Sequence, residues 1–190
     1  MAKPTVLLYP GAGSDREQSS LVAIERTLGS AASVERRDFP YRRQGRRAPD
    51  RAPKLMAAIR DDLKIVRRRR GPVVMGGRSM GGRMASMVAA DVDGAGPVAR
   101  LAGLVLICYP LHPPGKPDRL RVEHLVDLAV PCLFVSGTRD PFGSPDELTE
   151  WTATVPAPVE HVWIDGGRHD LKGADDTIAA AVAGFVAGLG

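Results

Sequence analysis

A chain of 190 residues, 44% hydrophobic and 25% charged, is long enough to bury one full core without disulfide support. Its two cysteines, Cys108 and Cys132, sit in apolar strand-like runs with no metal-ligand spacing, so they read as buried free thiols of a cytoplasmic protein. No apolar stretch is long enough to span a membrane, and the run Val6-Leu7-Leu8-Tyr9 stops at Pro10-Gly11 before it could serve as a signal peptide.

In chain order, Thr5 to Tyr9 is predicted as the first strand, opening into the loop Pro10-Gly11-Ala12-Gly13-Ser14-Asp15. A helix is expected from about 18 to 28, with Leu21, Ile24 and Leu28 on one face and Gly29 as its stop. A second strand follows over 33–37. The basic, Gly- and Pro-punctuated segment 42–53 reads as a loop, and Leu55, Ile59, Leu63 and Val66 mark an amphipathic helix. That helix runs into Arg67-Arg68-Arg69-Arg70, where cations suit the negative end of the helix dipole.

The next strand, beginning at Val73, carries Gly76-Gly77-Arg78-Ser79-Met80-Gly81-Gly82 and hands over to a helix striped by Met80, Met84 and Val88. A buried strand over 101–108 leads into Tyr109-Pro110-Leu111-His112-Pro113-Pro114-Gly115-Lys116-Pro117, then a short helix near 120–128. Strands over 132–136 and 159–164 flank a helix over 145–152, and a last helix carries Ile178, Val182 and Phe185. Strand and helix alternate throughout, which implies one α/β domain over 1–190: a mostly parallel sheet with helices on both faces.

Charge is uneven. Between Arg36 and Arg70 lie fourteen of the 26 basic residues and only four acids, Asp38, Asp50, Asp61 and Asp62. A solvated face explains such a block better than nucleic-acid binding.

The chemistry gathers at strand ends. Gly77-Arg78-Ser79-Met80-Gly81 fits G-x-S-x-G, in which a serine occupies a strained strand-to-helix turn, with glycines where side chains would collide. Such a serine needs a base to take its proton, and a histidine base needs a carboxylate to fix its tautomer. Asp140 and His169 stand in loops after later strands, in the chain order Ser, Asp, His that nucleophile-elbow hydrolases use. All such loops gather at one edge of a parallel sheet. His161 lies inside a strand and His124 on a helix face, and both are expected to pack. Asp146 and Glu147 open a helix and suit its N-terminus.

An oxyanion hole needs two backbone N–H donors, here assigned to Met80 and to Ala12 in the loop after the first strand. Gly11, Arg78, Tyr109 and His112 are expected to contact substrate. That first loop only half matches a dinucleotide fingerprint, and no P-loop occurs. No cofactor and no metal are expected.

The elbow stretch Gly76 to Ser86 resembles that of a small α/β-hydrolase family related to dienelactone hydrolases. That family includes the hydrolase-like domain of a subunit of the animal non-specific-lethal chromatin complex. Phe39-Pro40-Tyr41 with its Arg-rich sequel, the Tyr109–Pro117 stretch and Gly137-Thr138-Arg139-Asp140-Pro141-Phe142-Gly143 extend the resemblance over nearly the whole chain. It implies a minimal single-domain hydrolase fold without the N-terminal hairpin of larger members, six strands in the order 2-1-3-4-5-6. The short segment from Cys108 to Pro131 leaves no room for a lid domain. Serine stands where dienelactone hydrolases proper use cysteine.

Two functions follow. The first is a serine hydrolase cleaving a small-molecule ester or thioester, biased toward anionic substrates by Arg78, Arg83 and Arg42-Arg43, with neither membrane nor nucleic acid as partner. The second is a non-catalytic binding module that offers the Arg-rich face to an acidic partner. The intact Ser79, Asp140 and His169 favour the first.

Overall fold

The structure is a computed structural model that describes residues 2–66 and 68–189. Six strands hydrogen-bond side by side, all parallel: β1 (Thr5–Tyr9), β2 (Ser33–Arg36), β3 (Val73–Arg78), β4 (Leu101–Ile107), β5 (Cys132–Gly137) and β6 (Val159–Ile164). Their order is β2-β1-β3-β4-β5-β6, as the sequence predicts. Parallel strands require crossovers, and six helices are involved in them or follow them: α1 (Ser19–Leu28), α2 (Pro40–Arg43), α3 (Ala52–Val66), α4 (Met80–Ala89), α5 (Pro145–Thr152) and α6 (Asp175–Gly188).

Alternation along β1 shows how the chain builds two cores. Val6 and Leu8 point to one face, where Leu21 and Ile24 of α1 and Ile178 and Val182 of α6 cover them. Leu7 and Tyr9 point to the other, against Leu55 and Ile59 of α3 and Met84 and Val88 of α4. Every residue of β1, β3 and β5 is buried, because helices lie on both sides of the central sheet.

Three local expectations change. Pro40 starts a one-turn helix that runs into the first residues of the 42–53 segment read as a loop, since its fixed φ suits the first helical position. The helix expected near 120–128 reduces to a single 3₁₀ turn, Leu125–Asp127. Side-chain bonds hold that stretch instead: the Tyr109 hydroxyl donates to the Arg121 carbonyl at 2.7 Å, and His124 Nε2 lies 2.8 Å from Ser86 Oγ. The arginine run does not simply extend α3. Arg67 lies outside the described residues, and Arg69 turns to Glu35 and Ser33 on β2.

The sheet order reverses between β1 and β3. The loops after these two strands therefore diverge around a crevice at the carboxyl edge, and they carry Ala12 and Ser79. The connection from β4 to β5 contributes a cleft wall and, among the described residues, holds one 3₁₀ turn and no α-helix.

Candidate active site

Ser79 occupies the turn between β3 and α4 with φ 48° and ψ −114°, a conformation that costs a non-glycine residue energy. Tertiary contacts hold it there. Its amide donates to the Ile107 carbonyl at 2.7 Å, and its carbonyl accepts from the Arg83 amide at 3.0 Å. The glycines around it are dictated by the neighbouring strand. A Cβ on Gly77, at φ +148°, would sit 2.0 Å from the Tyr9 carbonyl oxygen, and one on Gly81 would sit 2.4 Å from the same atom. Both contacts are with backbone, which cannot move aside.

The loops after β5 and β6 bring Asp140 and His169 to this serine. His169 Nε2 lies 2.9 Å from Ser79 Oγ, and its Nδ1 lies 2.8 and 3.0 Å from the two Asp140 oxygens. In the neutral tautomer that donates Nδ1–H to the carboxylate, Nε2 is the acceptor facing the hydroxyl. Asp140 is 6% exposed and also accepts from the Phe142 amide at 2.9 Å. Phe142 stacks on the imidazole with ring centroids 4.0 Å apart, so the ring is held from its edge and its face.

Beneath these groups lies Cys108, within 4.8 Å of the Asp140 and His169 ligand atoms. Burial pushes its thiol up to about 12, so it remains protonated. The aspartate and histidine atoms in this trio are already bonded to one another.

Ser79 opens onto a cleft of about 700 Å³. Gly11, Ala12, Met80 and Arg78 line it with Ser79 and His169. Met80 is the first residue of α4, and the first amides of a helix have no intrahelical acceptor. The Ala12 amide has no hydrogen-bond partner among the described residues. Its loop is pinned on both sides: Gly11 N–H donates to Gln18 Oε1 at 3.0 Å and Gly13 N–H to the Tyr41 hydroxyl at 3.3 Å.

Tyr109 and His112, expected at the substrate, are not among the residues that line this cleft. Tyr109 is 1% exposed, and its hydroxyl is taken by the Arg121 carbonyl. His112 is buried with Nδ1 3.0 Å from the Pro113 carbonyl and Nε2 3.3 Å from Glu147 Oε1. The Tyr109 hydroxyl is thus satisfied within the fold, whereas His112 Nε2 is buried near Glu147 without a well-formed hydrogen bond. Glu147 completes a capping box with Ser144 at the start of α5, the helix-terminal place its position suggested.

Arg78 edges the cleft, yet its guanidinium is already engaged. It donates to the His169 carbonyl at 2.8 Å and to Ser20 Oγ at 3.3 Å, while the side chain is nearly buried. The other two histidines pack as expected. His161 stacks between Phe134 and Trp163, and His124 is buried against Ser86.

Sequence reading missed Gln18, Phe142 and Arg121. Phe142 stands two residues beyond Asp140 in the same loop, a proximity that could have nominated it. Nothing local connects Gln18 or Arg121 to Ser79; only the crossovers do.

A family model described as an alpha/beta hydrolase domain matches residues 2–180. Among solved structures, Est1E from Butyrivibrio proteoclasticus is similar over 99% of this chain and 88% of its own, with TM-score 0.78 and 15% identity. A monoacylglycerol lipase from Paleococcus ferrophilus covers 100% of this chain and 97% of its own, with TM-score 0.77 and 13% identity. The type II thioesterase BorB from the borrelidin biosynthetic cluster covers 98% and 92%, with TM-score 0.70 and 18% identity. At such identities these likenesses establish the shared fold.

Proposed function

The chain belongs to the alpha/beta hydrolase domain family, and on that premise we propose that it is a serine hydrolase of carboxylic esters or thioesters. The observation that carries the reading is the hydrogen-bonded row Ser79–His169–Asp140, at 2.9 and 2.8 Å, at the wall of an open cleft. Structural neighbours that are a monoacylglycerol lipase and a type II thioesterase are consistent with that substrate class.

In this mechanism His169 Nε2 takes the Ser79 proton as Oγ attacks the carbonyl carbon. Asp140 steadies the imidazolium that forms. The carbonyl oxygen gains charge and is held by the amides of Ala12 and Met80. His169 then protonates the departing alcohol or thiol, leaving acyl-Ser79. A water deprotonated by the same nitrogen releases the acid and restores the serine. The finer kinship, to small hydrolases related to dienelactone hydrolases, rests on the elbow, Phe39-Pro40-Tyr41 and Gly137–Gly143 motifs. A cytoplasmic site of action agrees with two free, buried thiols, Cys108 and Cys132.

The binding-module alternative loses its main support. Much of the Arg36–Arg70 block is matched by carboxylates: Arg36 with Glu17 and Glu25, Arg42 with Asp15, Arg46 with Asp50, and Arg60 with Asp91 and Asp93.

Labelling with a fluorophosphonate tests the hydrolase reading. Stoichiometric modification of Ser79 is expected in the wild type, with loss in Ser79→Ala and a fall of about 10⁴-fold or more in His169→Ala. Folded wild-type protein that fails to label would remove it.

A further inference from the structure

Two arginines, Arg83 and Arg121, stand on the cleft wall beside Ser79. Arg83 lies one helical turn beyond Ser79 on α4, about 6 Å along the axis. Arg121 comes from the β4–β5 connection, where the Tyr109 hydroxyl grips its backbone carbonyl. Neither side chain makes an ion pair or a hydrogen bond among the described residues, and Arg83 Nε is closed off from solvent without a partner. Their charges oppose each other: burial and the neighbouring Arg83 together push the Arg121 guanidinium below its ordinary value.

This arrangement is costly. Arg36, Arg42, Arg46, Arg60 and Arg69 each reach a carboxylate, so acids are within reach of this chain's arginines elsewhere. Two like charges facing one cavity become favourable when an anion sits between them, since a guanidinium fork binds carboxylate or phosphate oxygens through paired N–H donors. Among the described residues lining the cleft the single acid is Asp170, next to His169 in sequence.

We propose that Arg83 and Arg121 form an anion subsite, and that the substrate is an ester or thioester carrying a carboxylate or phosphate a few bonds from its scissile carbonyl. The substrate half of this statement rests on the hydrolase reading, while the subsite does not. Arg78 is left out of it, because its side chain is buried and two of its N–H groups already bind Ser20 Oγ and the His169 carbonyl.

Two measurements separate these parts. The first is calorimetric binding of glutarate and of inorganic phosphate to Ser79→Ala, with and without Arg83→Gln and Arg121→Gln. At least one anion is expected to bind, with affinity falling tenfold or more in the double arginine variant and falling with added salt. Which anion binds distinguishes the carboxylate from the phosphate source. The second is kcat/KM for matched pairs in wild type: the p-nitrophenyl monoester of glutarate against p-nitrophenyl pentanoate, and phenyl butyrate against its carboxylated and phosphorylated phenols.

A preference of about tenfold or more for a charged member is expected, and it should shrink in Arg83→Gln and in Arg121→Gln. The pair that shows the preference locates the anion on the acyl or the alcohol side. Arg26→Gln, an exposed arginine paired with Asp176, is the control whose preference and activity stay as in wild type. Anion binding without turnover of any ester would defeat the hydrolase reading and the substrate assignment but keep the subsite. Turnover with no charge preference and no anion binding would overturn the subsite.

Discussion

At the scale of single residues, the central distinction is between arginines that could bind substrate and an arginine that braces the site. Arg78 stands immediately before the serine, which made it a natural candidate for substrate contact. Its guanidinium instead ties β3 to the His169 loop through the carbonyl of the histidine itself. Arg78→Met is expected to lower kcat about tenfold to a hundredfold on neutral and charged esters alike, with a smaller change in KM. Arg78→Lys, which can still reach that carbonyl, should recover part of the loss. Arg83 and Arg121 variants differ by altering the ratio between charged and neutral esters. Steady-state kinetics on one matched pair separates the two behaviours.

At the scale of elements, the strand–turn–helix unit β3–α4 shows how one position serves packing and chemistry together. Gly77 and Gly81 let the unit approach the backbone of β1, and that approach brings the Gly11–Ala12 loop beside Ser79. Gly77→Ala would place a methyl against the Tyr9 carbonyl at φ +148°, a clash with main chain on both counts. The expected result is a loss of about 2 kcal/mol or more in urea unfolding, together with loss of fluorophosphonate labelling, because the loop of Ala12 must shift. Wild-type stability and full labelling in that variant would contradict this account of the elbow.

At the scale of the whole molecule, stability should depend on pH through His124. Burial and the charge of Arg83 push its pKa down to about 4, and it is pinned against Ser86 between α4 and the β4–β5 connection. The folded protein therefore holds this imidazole neutral at pH values where the unfolded chain protonates it. The contribution is fully present above about pH 6.5 and is lost as pH falls toward 4. Between pH 7 and 5 the loss from this group amounts to about 2 kcal/mol. His124→Gln should flatten the wild-type slope over that range in denaturant titrations; parallel slopes would show that His124 does not carry it.

Much of this molecule is legible along the chain. Alternating apolar strands and amphipathic helices imply a parallel sheet covered on both faces, and the resemblance of the motifs implies its order. The order Ser79, Asp140, His169, each after a strand, marks residues that the fold then sets within hydrogen-bond reach, because every strand end in a parallel sheet faces the same edge. What sequence alone could not assign is the direction of side chains once there. Tyr109 and His112 follow a strand at the correct edge, yet partners distant in sequence, the Arg121 carbonyl and Glu147, draw them into the fold. Arg121, on a stretch whose sequence suggested a helix, becomes a wall of the cleft, and Gln18 comes to hold the loop opposite. Local periodicity determines which residues are buried and where strands end. Which polar group meets which partner depends on crossovers spanning tens of residues, and only the tertiary structure decides it.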